Sequence, residues 1–182
     1  AEGEVLQLTF AHDLNLNQAV NLEIVRPKTA ALVAAAAEAG GVAAGAGDRQ
    51  IAALREYGLC LGLAFKLTDD ALDYGGATET LGKNAGDDFR EGKATLPLIL
   101  AVARSGASEA PFWERVIGKL DQVEGDFRRA RELIVGTGAL ESTLNLAFDY
   151  AEQARHALQV FPDNDWRHAL DDLASFAVSR AA

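Results

Sequence analysis

Gly62-Leu63-Ala64-Phe65-Lys66-Leu67-Thr68-Asp69-Asp70-Ala71-Leu72-Asp73-Tyr74 is an apolar helical run that ends in aspartates. At about 100° of rotation per residue, positions 66, 69, 70 and 73 fall within an arc of roughly 100°. Asp69, Asp70 and Asp73 therefore share a helix face, and Lys66 lies on it one turn earlier. Aspartate is unfavourable inside a helix, and like charges at this spacing repel by about 0.2–0.5 kcal/mol per pair. A cation removes that cost. Hard oxygen ligands suit Mg²⁺, which takes one or two carboxylates together with substrate phosphate oxygens and keeps several waters. For a DDxxD run on its own, a solvated acidic helix end is the plain alternative.

The residues immediately C-terminal to the run argue for the cation. Leu81-Gly82-Lys83 and then Gly86-Asp87-Asp88-Phe89-Arg90-Glu91-Gly92-Lys93-Ala94-Thr95-Leu96-Pro97 bring two lysines and a glycine-rich stretch close behind the aspartates. Lys83 and Lys93 have no reason to accompany a merely solvated acidic end. They can neutralise a diphosphate that a metal bridges to Asp69, Asp70 and Asp73. Asp88 reads as local turn or capping chemistry.

Around this centre the spacing predicts helices almost throughout. Residues 1 to about 10 read as the tail of a helix. Asn17 to about Ala39 reads as a second helix interrupted at Pro27, where the missing N–H kinks the chain and sets Lys28 and Thr29 beside freed backbone groups. Gly40-Gly41 and Gly45-Ala46-Gly47 are expected to end it, with Asp48 capping a long helix from about Arg49 to Tyr74. Gly58, Gly62 and Ala64 would allow close packing along that helix. Residues 75 to 92 are expected as a loop, and Thr95-Leu96-Pro97 opens a helix to about Arg104. Further helices are expected near 112–120, 123–135, 139–161 and 166–181. The class is all-α.

Composition agrees. The chain has 182 residues, of which 49% are hydrophobic and four are proline, enough to bury a core as one domain over residues 1–182. A net charge of −10 leaves too few basic residues to build a nucleic-acid or anionic-membrane surface. The single cysteine, Cys60, lies between two leucines on a helix and reads as a buried structural thiol in a reducing cytoplasm. No run approaches the roughly 20 apolar residues of a membrane span, and no signal peptide is visible. Arg128, Arg129 and Arg131 read as a solvated face, and the three histidines lack metal-ligand spacing.

These motifs resemble the trans-isoprenyl (polyprenyl) diphosphate synthases, closest in pattern to the medium- and long-chain members. Asp69, Asp70 and Asp73 are similar to the family's second aspartate-rich motif, and Gly82-Lys83 and Gly86 to Pro97 resemble its GK and GxDxxxGKxTLP segments. Upstream, Gly3-Glu4-Val5-Leu6-Gln7-Leu8 resembles GExLQL, and Lys28-Thr29-Ala30-Ala31-Leu32 resembles KTAxL.

The resemblance implies an isoprenoid-synthase-type helical bundle and condensation of isopentenyl diphosphate with an allylic diphosphate. It implies Mg²⁺ on Asp69, Asp70 and Asp73, and diphosphate contact from Lys28 and Lys83, with Lys93 and Phe65 as further substrate-binding candidates. Thr29 would line the cation's pocket, and a homodimer is expected. The family's first aspartate motif does not occur in this chain, whose opening residues read as a helix interior. The chain is therefore expected to be a C-terminal portion that lacks the N-terminal helices and is inactive alone. A non-catalytic regulatory or scaffold subunit of a heteromeric synthase is the alternative; a terpene cyclase fits poorly without an Asn/Ser/Glu second motif. One departure stands out: Lys66 occupies a position that is usually glutamine, and is carried as a catalytic candidate. It could pair with Asp70 and compete with metal, or reach the diphosphate.

Overall fold

Helix succeeds helix along the chain. The structure, a computed structural model, describes residues 2–10, 12–75 and 85–180. Among them lie α1 (Glu2–Thr9), α2 (Gln18–Val25), α3 (Ala31–Ala43), α4 (Asp48–Gly75), α5 (Asp87–Arg90), α6 (Leu96–Arg104), α7 (Ala110–Trp113), α8 (Asp126–Gly136), α9 (Ala139–Ala157) and α10 (Asp165–Ser179). No strand occurs among the described residues, and no described helix is long and apolar enough to cross a membrane.

The long helix α4 is the axis, because its apolar residues recur on more than one face. Ala64 and Leu67 pack with Leu96 of α6, Ala147 and Ala151 of α9 and Val178 of α10. Tyr57, Cys60 and Leu61 meet Ala154, Leu158, Ala174 and Ala177 on a second side. Leu63 meets Val25 and Ala30 on a third. Cys60 is buried beside Glu56, and burial first, then that carboxylate, push its thiol up to about 12.

Two expectations about the junction of α3 and α4 change. Gly40 and Gly41 do not stop α3, which runs on to Ala43 and turns at Gly45 with φ +68°. Gly41 serves packing instead: a Cβ there would lie 2.7 Å from Leu54 Cδ1, so its absence leaves room for that side chain of α4. At the start of α4 the cap is Gly47 rather than Asp48. The Gly47 carbonyl accepts the Ile51 N–H at 3.0 Å, and Gln50 Oε1 accepts the Gly47 N–H at 3.2 Å.

The break at Pro27 takes a specific form. Residues Arg26–Ala30 make one wide π-helical turn joining α2 to α3, in which the Ala31 N–H reaches the Arg26 carbonyl. Proline has no N–H to give to the regular ladder, and a turn with one extra residue absorbs the fault. Asn17 caps α2 through its side chain, accepting the Val20 N–H at 3.1 Å.

Towards the C-terminus, Phe112, Trp113, Val116 and Ile117 pack with Tyr74, Phe89, Leu98 and Ile134. Helix α8 starts three residues later than the spacing predicts. The Asp126 carboxylate accepts the Val123 N–H at 2.7 Å and two Arg115 N–H bonds at 2.7 and 2.8 Å, which fixes Val123–Gly125 as a turn outside the helix.

Candidate active site

The site grows from the wide turn at residues 26–30. Two glycines let it be clamped between helices. A Cβ at Gly62 of α4 would lie 2.6 Å from Ala30 Cα, and one at Gly3 of α1 would lie 2.5 Å from Lys28 N. Any larger residue at either point would push the turn away. Lys28 is carried by this turn, with its ammonium hydrogen-bonded to Gln7 Oε1 of α1, and Thr29 comes next. π-Turns inside helices are found often where side chains must be aimed.

Opposite the turn stands the C-terminal part of α4. Lys28, Thr29, Lys66, Asp70, Lys93 and Thr95 all wall one cleft, whose apolar side is formed by Leu16, Ile24 and Val25. Lys66 makes a close ion pair with Asp70 and lies 4.0 Å from Asp69. Of the two possibilities for Lys66 left open by the sequence, the structure contains the pairing with Asp70. Burial would by itself lower the Lys66 pKa, but Asp70, with Asp88 and Asp69, outweighs this and holds the ammonium charged. Asp70 is only 1% exposed, and burial pushes its carboxyl up to about 6 against the pull of Lys66.

Asp73, the third member of the face, turns to the backbone. Its carboxylate accepts N–H groups of Gly86 at 3.1 Å, Asp87 at 3.2 Å and Asp88 at 3.1 Å. Burial and then the neighbouring Asp88 raise its pKa despite these donors. Asp88 in turn accepts from Lys93 Nζ at 3.1 Å. Partial burial works against the Lys93 charge, but Glu91 and Asp88 more than offset it. The expected structural role of Asp88 agrees with these contacts.

Not every candidate meets in the cleft. Phe65 lies one residue before Lys66 and so about 100° round the helix. It faces a separate groove formed with Val33, Leu173 and Phe176, with the Arg180 guanidinium 4.5 Å from its ring centre. Lys83 and Gly82 lie outside the described residues. One residue without a sequence signal joins the wall. Asn21, 4% exposed, donates to the Ala94 carbonyl at 3.2 Å and so ties α2 to the Lys93–Thr95 stretch. An asparagine near a helix start looks like ordinary capping chemistry, and no pattern distinguishes it.

Among the described residues no cluster of three or more His, Cys, Asp and Glu side chains forms a closed metal cage. The donor set still fits Mg²⁺, which needs one or two carboxylates and completes its octahedron with water and phosphate oxygens. Adjacent Asp69 and Asp70 would supply the carboxylates, and the lysines across the cleft would suit the phosphates.

An all-helical bundle with paired aspartates at the end of its central helix defines the isoprenoid-synthase class of fold. The chain matches the Polyprenyl synthetase family profile over residues 1–134, and it belongs to that family. It is 41% identical to octaprenyl diphosphate synthase of Escherichia coli K12, over 99% of this chain and 55% of that protein. It is 36% identical to a short chain isoprenyl diphosphate synthase of Methanothermobacter thermautotrophicus, over 98% of this chain and 54% of that protein. Among solved structures, a polyprenyl synthase of Caulobacter crescentus complexed with calcium and isoprenyl diphosphate superposes with a TM-score of 0.95. It is 71% identical, over 100% of this chain and 55% of its own. A decaprenyl diphosphate synthase of Rhodobacter capsulatus gives a TM-score of 0.93 at 49% identity, over 100% of this chain and 56% of its own. The chain spans about half the length of the curated relatives it matches.

Proposed function

We propose that this chain carries the second aspartate motif and part of the diphosphate-binding wall of a trans-polyprenyl diphosphate synthase. The proposed reaction joins isopentenyl diphosphate to an allylic diphosphate. The allylic C–O bond breaks with its electron pair leaving on the diphosphate, the isopentenyl double bond forms the new C–C bond, and a proton is released. The observation that carries this reading is the single cleft in which Lys28, Lys66 and Lys93 face Asp70, with Asp69 beside it. Relatives named as polyprenyl synthases support it.

In this proposal Asp69 and Asp70 are the metal-facing carboxylates, with Asp73 behind them on the same face. Lys28 and Lys93 donate to diphosphate oxygens, and Lys83 joins them from outside the described residues. Thr29 lines the wall beside the departing group, and Lys66 adds a fixed cation next to the carboxylates. Phe65 offers apolar contact from the neighbouring groove. When bound, Mg²⁺ would supply positive charge that stabilises the leaving diphosphate. The lysines act in the same sense, preorganised where negative charge develops. A cytoplasmic homodimer, with this chain inactive alone, completes the proposal.

A second reading, a non-catalytic subunit of a heteromeric synthase, is favoured by one observation: Lys66 already engages Asp70. The test is turnover of the two diphosphates by the natural protein with and without Mg²⁺. Turnover is expected only with the metal, and Asp69→Ala should lower kcat on the order of 10²-fold or more. Undiminished turnover in Asp69→Ala removes the reading. Activity that requires a second, different chain supports the subunit.

A further inference from the structure

We infer that Asp73 is a positioning residue that anchors the segment running from Gly86 to Thr95, and is not itself a metal ligand. Its two oxygens accept three backbone N–H groups of consecutive residues, Gly86 and Asp87 on Oδ1 and Asp88 on Oδ2. A carboxylate has about four acceptor positions, so the chain's own amides take most of them. The Gly86 N–H also reaches the Asp73 carbonyl at 3.1 Å, so both main chain and side chain of this one residue grip the segment where it begins. Gly86 can accept that grip because it has φ +86° and no Cβ; one there would come 2.7 Å from a Phe127 ring carbon. The segment thus passes beneath Phe127, whose ring centre lies 6.2 Å from that of Tyr74 and 5.7 Å from that of Phe89.

The grip is transmitted to the cleft. Asp88, whose N–H is held by Asp73, accepts the Lys93 N–H on its carbonyl at 2.9 Å and the Lys93 ammonium on its carboxylate at 3.1 Å. Lys93 walls the cleft beside Lys66 and Asp70, whereas neither Asp69 nor Asp73 is among the described residues that do. The aspartates of the α4 face therefore divide: Asp70 turns to the cleft, and Asp73 fixes where Lys93 stands. That Lys93 contacts a diphosphate rests on the function proposed above; the anchoring itself does not.

The experiment combines amide hydrogen exchange with Mn²⁺ binding followed by electron paramagnetic resonance, in the natural protein, with inorganic diphosphate as the second probe. In Asp73→Ala, exchange at residues 86–88 should rise about tenfold or more, as expected when amides lose a charged acceptor. Mn²⁺ affinity should stay at the wild-type level, and diphosphate affinity should fall as Lys93 loses its seat. Asp73→Asn keeps one acceptor oxygen and should recover part of the protection, which guards against an alanine variant that fails to fold. Asp69→Asn serves as the variant expected to weaken Mn²⁺. Loss of Mn²⁺ binding in Asp73→Asn, or unchanged exchange at 86–88 in either variant, overturns the inference. If wild type bound neither Mn²⁺ nor diphosphate, the synthase reading would fail, while the exchange result would still decide the anchor.

Discussion

The cleft-bearing region, from α1 to α6, and the region from α7 to α10 place their charged residues differently. In the first, Asp70 is buried at the end of α4 with Lys66 upon it, and lysines arrive from a wide turn and from a segment tied down by Asp73. In the second, most ion pairs lie at the rim, with the buried Asp126 under Arg115 as the exception. Arg155 bridges Glu152 at 2.6 Å and Asp171 at 2.9 Å, joining α9 to α10, and Arg129 reaches Glu109 at 2.8 Å. Those pairs fasten neighbouring helices, whereas Lys28 and Lys93 reach the cleft from irregular backbone and Lys66 and Asp70 from α4. Irregularity costs stability, and here it coincides with the concentration of charge.

That contrast can be broken experimentally. The largest effect is expected at Cys60, on the apolar seam where α4 meets α9 and α10. With its thiol pushed up to about 12, the reactive thiolate is scarce at pH 8 and grows about tenfold per pH unit until that value is approached. Alkylation in the native protein should be about 10³-fold slower than after unfolding, read by mass spectrometry. Rapid native labelling would mean that the seam opens.

Next comes Trp113→Ala in the second region. Its indole is 1% exposed and donates to Ser105 Oγ at 3.1 Å, so removal should cost about 3–5 kcal/mol in chemical denaturation. A smaller loss of about 1–3 kcal/mol is expected from Gly62→Val, which overpacks the contact with Ala30. This variant should also displace Lys28 and Thr29, so diphosphate affinity should fall with it while Trp113→Ala leaves affinity intact in the folded fraction. Smallest is Arg155→Ala: its side chain is 39% exposed, and such pairs contribute about 0–1 kcal/mol. A large loss there would show that rim pairs matter as much as the buried cleft.

Much of the fold is legible in the residues. The extent of α4, the shared face of Asp69, Asp70 and Asp73 and the helix opening at Leu96 come from helical period and turn chemistry alone. Phe65 diverges from Lys66 by the simple rotation of one residue, although the resemblance offers Phe65 as a substrate contact. Gly41 misleads because a glycine that ends a helix and one that admits a neighbour look alike in sequence. Only the position of Leu54 on α4 distinguishes them. Asp73 shares a face with Asp70, but its partners lie on a segment more than ten residues away, whereas Asp70 finds Lys66 one turn back. The late start of α8 depends on Arg115 reaching Asp126 across a turn, which no local propensity records.

The wide turn at residues 26–30 also constrains how this part of the molecule can change in evolution. One surplus residue there sets the phase of α2 against α3 by about 100°. Deleting a single position would let the ladder close into a continuous helix, and every side chain on one flank would rotate off its neighbours at once. Point replacements at the exposed positions of α2 and α3 are absorbed locally, but an insertion or deletion between Val25 and Ala31 is a change of gearing for the whole arm. Length in this stretch should therefore vary less among descendants than the identity of its residues.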